Sequence, residues 1–274
     1  MKIWQAIILG LVQGLTEFLP VSSSGHLVFL QRVLGIQEGG LFFNIILHLG
    51  TLVAVCVVFW RDILELFKKP FKTLGYLVIA SIPAAVIGLL LEDVIDGMSN
   101  EFKYIGIILA VFFLITASVL FVTEIVAKKR ENVLPLCWRT VLPMGFAQAI
   151  AVLPGISRSG STICAGMLAG GKREEVAKFS FLMSIPVILG SFVISLIKGL
   201  VKGEIQQDFI DNGSTYGWCV ALGFVISALV GLFAVKVMLK VIQKANYKWF
   251  SLYLVLLAIT CIVLQCCGLF KVIA

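Results

Sequence analysis

Glu17, Ser22, Ser23, Ser24 and His26 lie close together in QGLTEFLPVSSSGH (13–26). A carboxylate, hydroxyls and an imidazole at this spacing are the components of acid–base and nucleophilic chemistry. A second polar stretch, PGISRSGST (154–162), carries Ser157, Arg158, Ser159, Gly160 and Thr162. Its guanidinium can grip phosphate oxygens in a two-pronged fork.

Local structure should present these groups together. In a helix over 3–19, Gln13 and Glu17 share one face. Pro20 ends that helix, and Ser22-Ser23-Ser24-Gly25 opens the next, with serine as cap and glycine allowing close approach. His26 then sits in the first turn, three and four residues from Ser23 and Ser22. Pro154-Gly155 and Ser157-Arg158-Ser159-Gly160 repeat the design. Each helix start offers free amides and about half a positive charge, a ready anion site. Two such starts and one arginine, if brought together, suit a phosphate or diphosphate better than a carboxylate.

The surroundings are strongly apolar. The chain is 60% hydrophobic and 14% charged, with a mean hydropathy of +1.06, against about 45–50% and 25% in soluble domains. An integral membrane protein is expected. No small-residue cleavage site precedes Gln13, so no removable signal is expected. Stretches near 41–60, 75–91, 104–126, 180–201, 217–242 and 249–270 can span a bilayer. Residues 3–19, 25–34, 141–153 and 161–169 are too short or broken and read as two re-entrant hairpins. An ionised side chain at bilayer depth costs about 2.5–3.5 kcal/mol, so Glu17 and Arg158 there argue for function. A structural ion pair is the plainer alternative, but it would not call for the neighbouring hydroxyls and histidine.

Basic residues concentrate in segments 61–72, 128–139, 172–178 and 236–248, whereas Glu92, Asp93, Asp96, Glu101, Glu204, Asp208 and Asp211 lie on the other side. This bias puts both termini outside, with the first hairpin entering from outside and the second from the cytoplasm. The basic residues do not cluster on a soluble face despite the net charge of +7, so nucleic acid is not expected as a partner. The seven cysteines show no metal or disulfide spacing and read as small apolar residues.

The two polar stretches resemble each other. QGLTEFLPVSSSG (13–25) and QAIAVLPGISRSG (148–160) share a glutamine, an apolar run, a proline and Ser-x-Ser-Gly; FNIILHLGTLVAV (43–55) then lies near FSFLMSIPVILG (179–190). Each half reads as a hairpin followed by three spans. The expected fold is therefore an all-α integral membrane protein, one domain over 1–274. Six transmembrane helices and two re-entrant hairpins form an inverted-topology repeat over about 1–127 and 134–274.

QGLTEFLPVSSSGH (13–26) and PGISRSGST (154–162) resemble the paired motifs of the bacterial undecaprenyl-diphosphate phosphatases, the bacitracin-resistance family, and the likeness extends over the whole chain. It implies hydrolysis of a polyprenyl diphosphate to the monophosphate and inorganic phosphate, recycling the lipid carrier of cell-wall synthesis. It also implies a divalent cation and a site open to the periplasm in the bacterial plasma membrane. Where this family often has Glu, the chain has Gln13, which can be only a neutral ligand or hydrogen-bond partner.

On this reading Glu17, with Gln13, holds Mg²⁺ or Ca²⁺. Arg158, the helix-start amides of both breaks (Ser24, Gly25, Gly160) and the hydroxyls of Ser157, Ser159 and Thr162 hold the diphosphate, with Gln148 in support. The spacings favour Ser22 or Ser23 as nucleophile with His26 as base; a phosphohistidine at His26 and direct attack by water stay open. The partners are the polyprenyl diphosphate and membrane lipid; a homodimer is admitted but not required.

His48 and Asn44, four apart in a span, are expected to bond between helices. Lys198 and Lys202 are expected to snorkel, and Glu124 at a span end needs no function. The rival reading is a transporter or flippase for a lipid phosphate or organic anion. Such a carrier needs anion donors but no acid, base or nucleophile.

Overall fold

The computed structural model describes residues 1–36, 41–91, 104–128, 133–244 and 246–270. Glu92, Asp93, Asp96 and Glu101 from the sequence reading lie outside these. Among the described residues the chain is all helical. The helices are α1 (Ile3–Thr16), α2 (Ser23–Leu34), α3 (Leu41–Val58), α4 (Trp60–Leu66), α5 (Lys72–Leu90), α6 (Ile105–Lys128), α7 (Trp138–Ile150), α8 (Arg158–Leu168), α9 (Arg173–Val201), α10 (Glu204–Asn212), α11 (Thr215–Lys244) and α12 (Lys248–Cys266). An isolated parallel bridge pairs Leu134 with Gly171.

Five helices, α5, α6, α9, α11 and α12, are long and apolar enough to cross a membrane. The first expected span, 41–60, differs: α3 meets α4 at a 78° bend, so a sixth span requires counting that pair as one. Large apolar side chains such as Leu90, Phe233 and Leu256 face outward, as lipid-facing helices require. The chain is thus a multi-pass membrane protein.

The short helices end for local reasons. Pro20 cannot donate to a helical ladder and disfavours helix in the residue before it. α1 stops at Thr16, earlier than expected, although the Glu17 amide still donates to the Gln13 carbonyl at 3.0 Å. The Ser22 hydroxyl accepts from the Gly25 amide at 3.3 Å and caps α2; Ser157 caps α8 in the same way, accepting from the Gly160 amide at 3.0 Å.

Small residues allow close helix contact, the usual basis of membrane packing. α1 lies on α11, where a Cβ on Gly14 would stand 2.9 Å from the Ser227 carbonyl oxygen. α7 lies on α5, where a Cβ on Gly145 would stand 2.8 Å from the Ala80 carbonyl oxygen. Phe18, Phe59 and Phe181 knit the turn after α1 to α3 and α9 in the main core, and Phe113 of α6 belongs to the same core.

Candidate active site

The tips of the two broken regions touch. A Cβ on Gly25 would lie 2.6 Å from Phe113 Cε1 and 2.9 Å from the Gly155 Cα. The Ser159 hydroxyl donates to the Leu19 carbonyl at 2.8 Å, crossing from one tip to the other. The second tip is further fixed by the Ser157 amide, which donates to Thr116 Oγ1 at 3.2 Å. Ser22 adopts φ +69°, an uncommon backbone conformation for a residue with a side chain and one that tends to occur at functional sites.

Glu17 is the centre of the assembly. Its Oε1 accepts from Arg158 Nη2 at 2.6 Å. Its Oε2 accepts from the Ser23 hydroxyl at 2.6 Å and from Gln13 Nε2 at 3.0 Å. The expected shared face of Gln13 and Glu17 is therefore present. Gln13 Nε2 also donates to His48 Nδ1 at 2.8 Å. The same His48 nitrogen approaches Glu17 Oε2 at 3.4 Å.

Two residues outside the expected set reach this region. His48 was read as bonding between helices; it does so, and its partner is a site residue. Asn44 also bonds between helices as expected, accepting from Gln31 of α2 at 2.9 Å. Tyr253 of α12 bonds His26 Nε2 at 2.7 Å. A histidine within a span was a legible signal for the first, but nothing in the sequence marked Tyr253.

Other expected residues are close by but differently engaged. His26 Nδ1 donates to the Ser22 carbonyl at 2.7 Å, so both ring nitrogens bond to groups other than the Ser22 and Ser23 hydroxyls. Ser24 lies 3.4 Å from Ser22, oxygen to oxygen. The Thr162 hydroxyl donates to the Arg158 carbonyl at 2.9 Å and pairs with Ser180 Oγ at 2.6 Å. The hydroxyls of Ser157, Ser159 and Thr162 therefore hold the tips in shape. Gln148 is buried, and neither of its amide atoms has a hydrogen-bond partner among the described residues.

A divalent cation would find a partial set of ligands here. Glu17 supplies a carboxylate, and Gln13 Oε1, one residue turn away, is a buried acceptor without a partner. Both are oxygen donors of the kind hard cations prefer. Among the described residues no group of three or more His, Cys, Asp or Glu could hold a metal ion, so a cation bound here would need further oxygen ligands from substrate or water.

The family model for the bacitracin resistance protein BacA matches residues 6–260. An undecaprenyl-diphosphatase of Carboxydothermus hydrogenoformans is 43% identical over 271 residues, covering 98% of this chain and all of that protein. One from Caldicellulosiruptor bescii is 39% identical, covering 94% and 96%. One from Rubrobacter xylanophilus is 40% identical, covering 92% and 94%.

Proposed function

Because the chain belongs to the bacitracin resistance protein BacA family, we propose that it hydrolyses undecaprenyl diphosphate to undecaprenyl phosphate and inorganic phosphate. The observation that carries this reading is the junction of Glu17, Ser23 and Arg158, which puts a carboxylate, a hydroxyl and a guanidinium from both broken regions in direct contact. A carrier that only moves an anion would need the guanidinium but not the carboxylate–hydroxyl pair.

Phosphoryl transfer depends mainly on positioning and charge neutralisation. Arg158 and the amino ends of α2 and α8 bind the diphosphate, and substrate oxygens replace Glu17 as the guanidinium's partner. Glu17 then takes the Ser23 proton as Ser23 Oγ attacks the terminal phosphorus. The bond to the bridging oxygen breaks, undecaprenyl phosphate leaves, and water releases the phosphate from Ser23. This assigns the base role beside serine to Glu17, in place of the His26 role that spacing suggested. If a divalent cation such as Mg²⁺ or Ca²⁺ binds, Glu17 and Gln13 Oε1 would hold it, and it would supply neutralisation of phosphate charge.

The architecture behind this is six spans and two re-entrant hairpins in an inverted repeat. The packing of α1 on α11 and of α7 on α5 supports it, since each hairpin lies on the second span of the opposite half. The lysine and arginine bias supports a site open to the periplasm and both termini outside. The polyprenyl tail remains among membrane lipid.

The test is phosphate release by purified protein from a polyprenyl diphosphate, with and without chelator. Glu17→Ala, His26→Ala and Arg158→Ala are each expected to remove nearly all turnover while the protein still inserts. Wild-type turnover in all three ends the enzyme reading. A C-terminal reporter active only in the cytoplasm overturns the orientation.

A further inference from the structure

His26 is held at both ring nitrogens by groups whose hydrogen-bonding roles can be assigned. The Ser22 carbonyl can only accept, so Nδ1, at 2.7 Å, carries a proton. In the neutral ring Nε2 is then the lone-pair nitrogen, and the Tyr253 hydroxyl 2.7 Å away donates to it. The two rings are stacked, centroids 5.7 Å apart and planes 11° from parallel, while Phe113 meets the imidazole edge-on. His26 is buried, whereas Tyr253 is 44% exposed. The one nitrogen of His26 able to take a proton thus faces neither Ser22 nor Ser23 but the hydroxyl of a half-exposed tyrosine.

We propose that Tyr253 is a proton-relay and positioning residue, so that His26 exchanges protons with the reacting groups through the Tyr253 hydroxyl rather than directly with serine. The inference rests on the phosphatase reading above. As His26 takes up a proton, the Tyr253 hydrogen moves to Nε2 and the Tyr253 oxygen receives a hydrogen from a water or substrate hydroxyl. The tyrosine ends unchanged, and one proton has moved to the imidazole. A hydroxyl is suited to this because it both donates and accepts, so it can bond His26 in either protonation state. Phenylalanine preserves the stacking but not the relay.

The test uses the full-length protein with Tyr253→Phe, His26→Ala and the double variant, assayed by phosphate release from a polyprenyl diphosphate. Positioned proton transfer contributes about 10²–10⁴-fold to rate. Tyr253→Phe is expected to lower kcat at least about tenfold with KM within about twofold. In the His26→Ala background it should cost nothing further. The chain has two histidines, so ¹⁵N spectra of the labelled side chains can report His26 directly: Nδ1 should stay protonated in both proteins, and the Nε2 signal should move toward an unbonded lone pair in Tyr253→Phe. Undiminished kcat in Tyr253→Phe, an equal loss in both backgrounds, or an unmoved Nε2 signal overturns the relay alone. A wild-type protein without phosphatase activity overturns the functional reading and the relay with it.

Discussion

Arg158 Nη2 and Glu17 Oε1 meet at 2.6 Å although 141 residues separate them in the chain. The side chains are 14% and 6% exposed, so each charge depends on the other in the resting protein. Breaking such a buried pair from one side leaves an unpaired charge, at a cost of about 3–5 kcal/mol. In the proposed mechanism, substrate that displaces Glu17 from Arg158 would offset this cost, its phosphates taking over the guanidinium while Ser23 and Gln13 still bond the carboxylate.

Arg158→Lys therefore separates charge from shape. It keeps a cation but loses the planar fork, and phosphate release should fall about tenfold to a hundredfold. Glu17→Gln should fall at least about a hundredfold, since it removes the base beside Ser23. Variants that elute and melt like wild type while losing this activity support the assignment; a fully active Arg158→Lys argues against fork recognition.

The contact between the tips is steric as well as polar. Gly25→Ala drives a Cβ into Phe113 and the Gly155 backbone, an overpacking expected to cost about 1–3 kcal/mol and to push the two tips apart. Gly75→Ala is the control: nothing lies within 4 Å of its added Cβ, and alanine gains about 1 kcal/mol of helix propensity. Thermal unfolding in detergent should drop for Gly25→Ala and hold or rise for Gly75→Ala.

Glu124 does more than end a span. It is buried at the end of α6, where it accepts from Arg173 of α9 at 2.6 Å and from the Tyr247 amide before α12 at 3.2 Å, with Lys128 at 3.2 Å. Arg173 also stacks over the Tyr247 ring at 4.3 Å. Glu124→Ala leaves Arg173 without this partner and should destabilise by about 3–5 kcal/mol, visible as a lower melting temperature. Activity per folded molecule at low temperature should stay near wild type, because none of these groups is at the site.

The proposed cation can be tested at its two oxygen donors, Glu17 and Gln13 Oε1. Chelation should abolish phosphate release, and added Mg²⁺ or Ca²⁺ should restore it. Gln13→Glu adds a second carboxylate four residues from Glu17 and should lower the cation concentration for half-maximal rate about tenfold, equivalent to about 1.4 kcal/mol. Unchanged cation dependence in Gln13→Glu would remove residue 13 from the metal's surroundings.

The sequence by itself determined roughly where the short helices break, which residues share a face and which are too costly in a membrane to stay unpaired. These follow from local physics. Proline denies a donor, serine caps the next helix, and a charge in hydrocarbon needs a reason. Thus the breaks at Pro20 and Pro154, the shared face of Gln13 and Glu17, and the need of Glu17 and Arg158 for partners were all legible. Tertiary structure alone decided which groups complete them. His26 was within reach of two serines by spacing, yet its lone pair faces Tyr253, 227 residues away. The hydroxyls of Ser159 and Thr162 looked available to a ligand, yet they bond the Leu19 carbonyl and Ser180. Glu124 looked like an ordinary helix end, yet it ties three helices together. A hydrogen bond is short and directional, so its partner is fixed by how distant helices pack, and sequence spacing reports only what one helix can present.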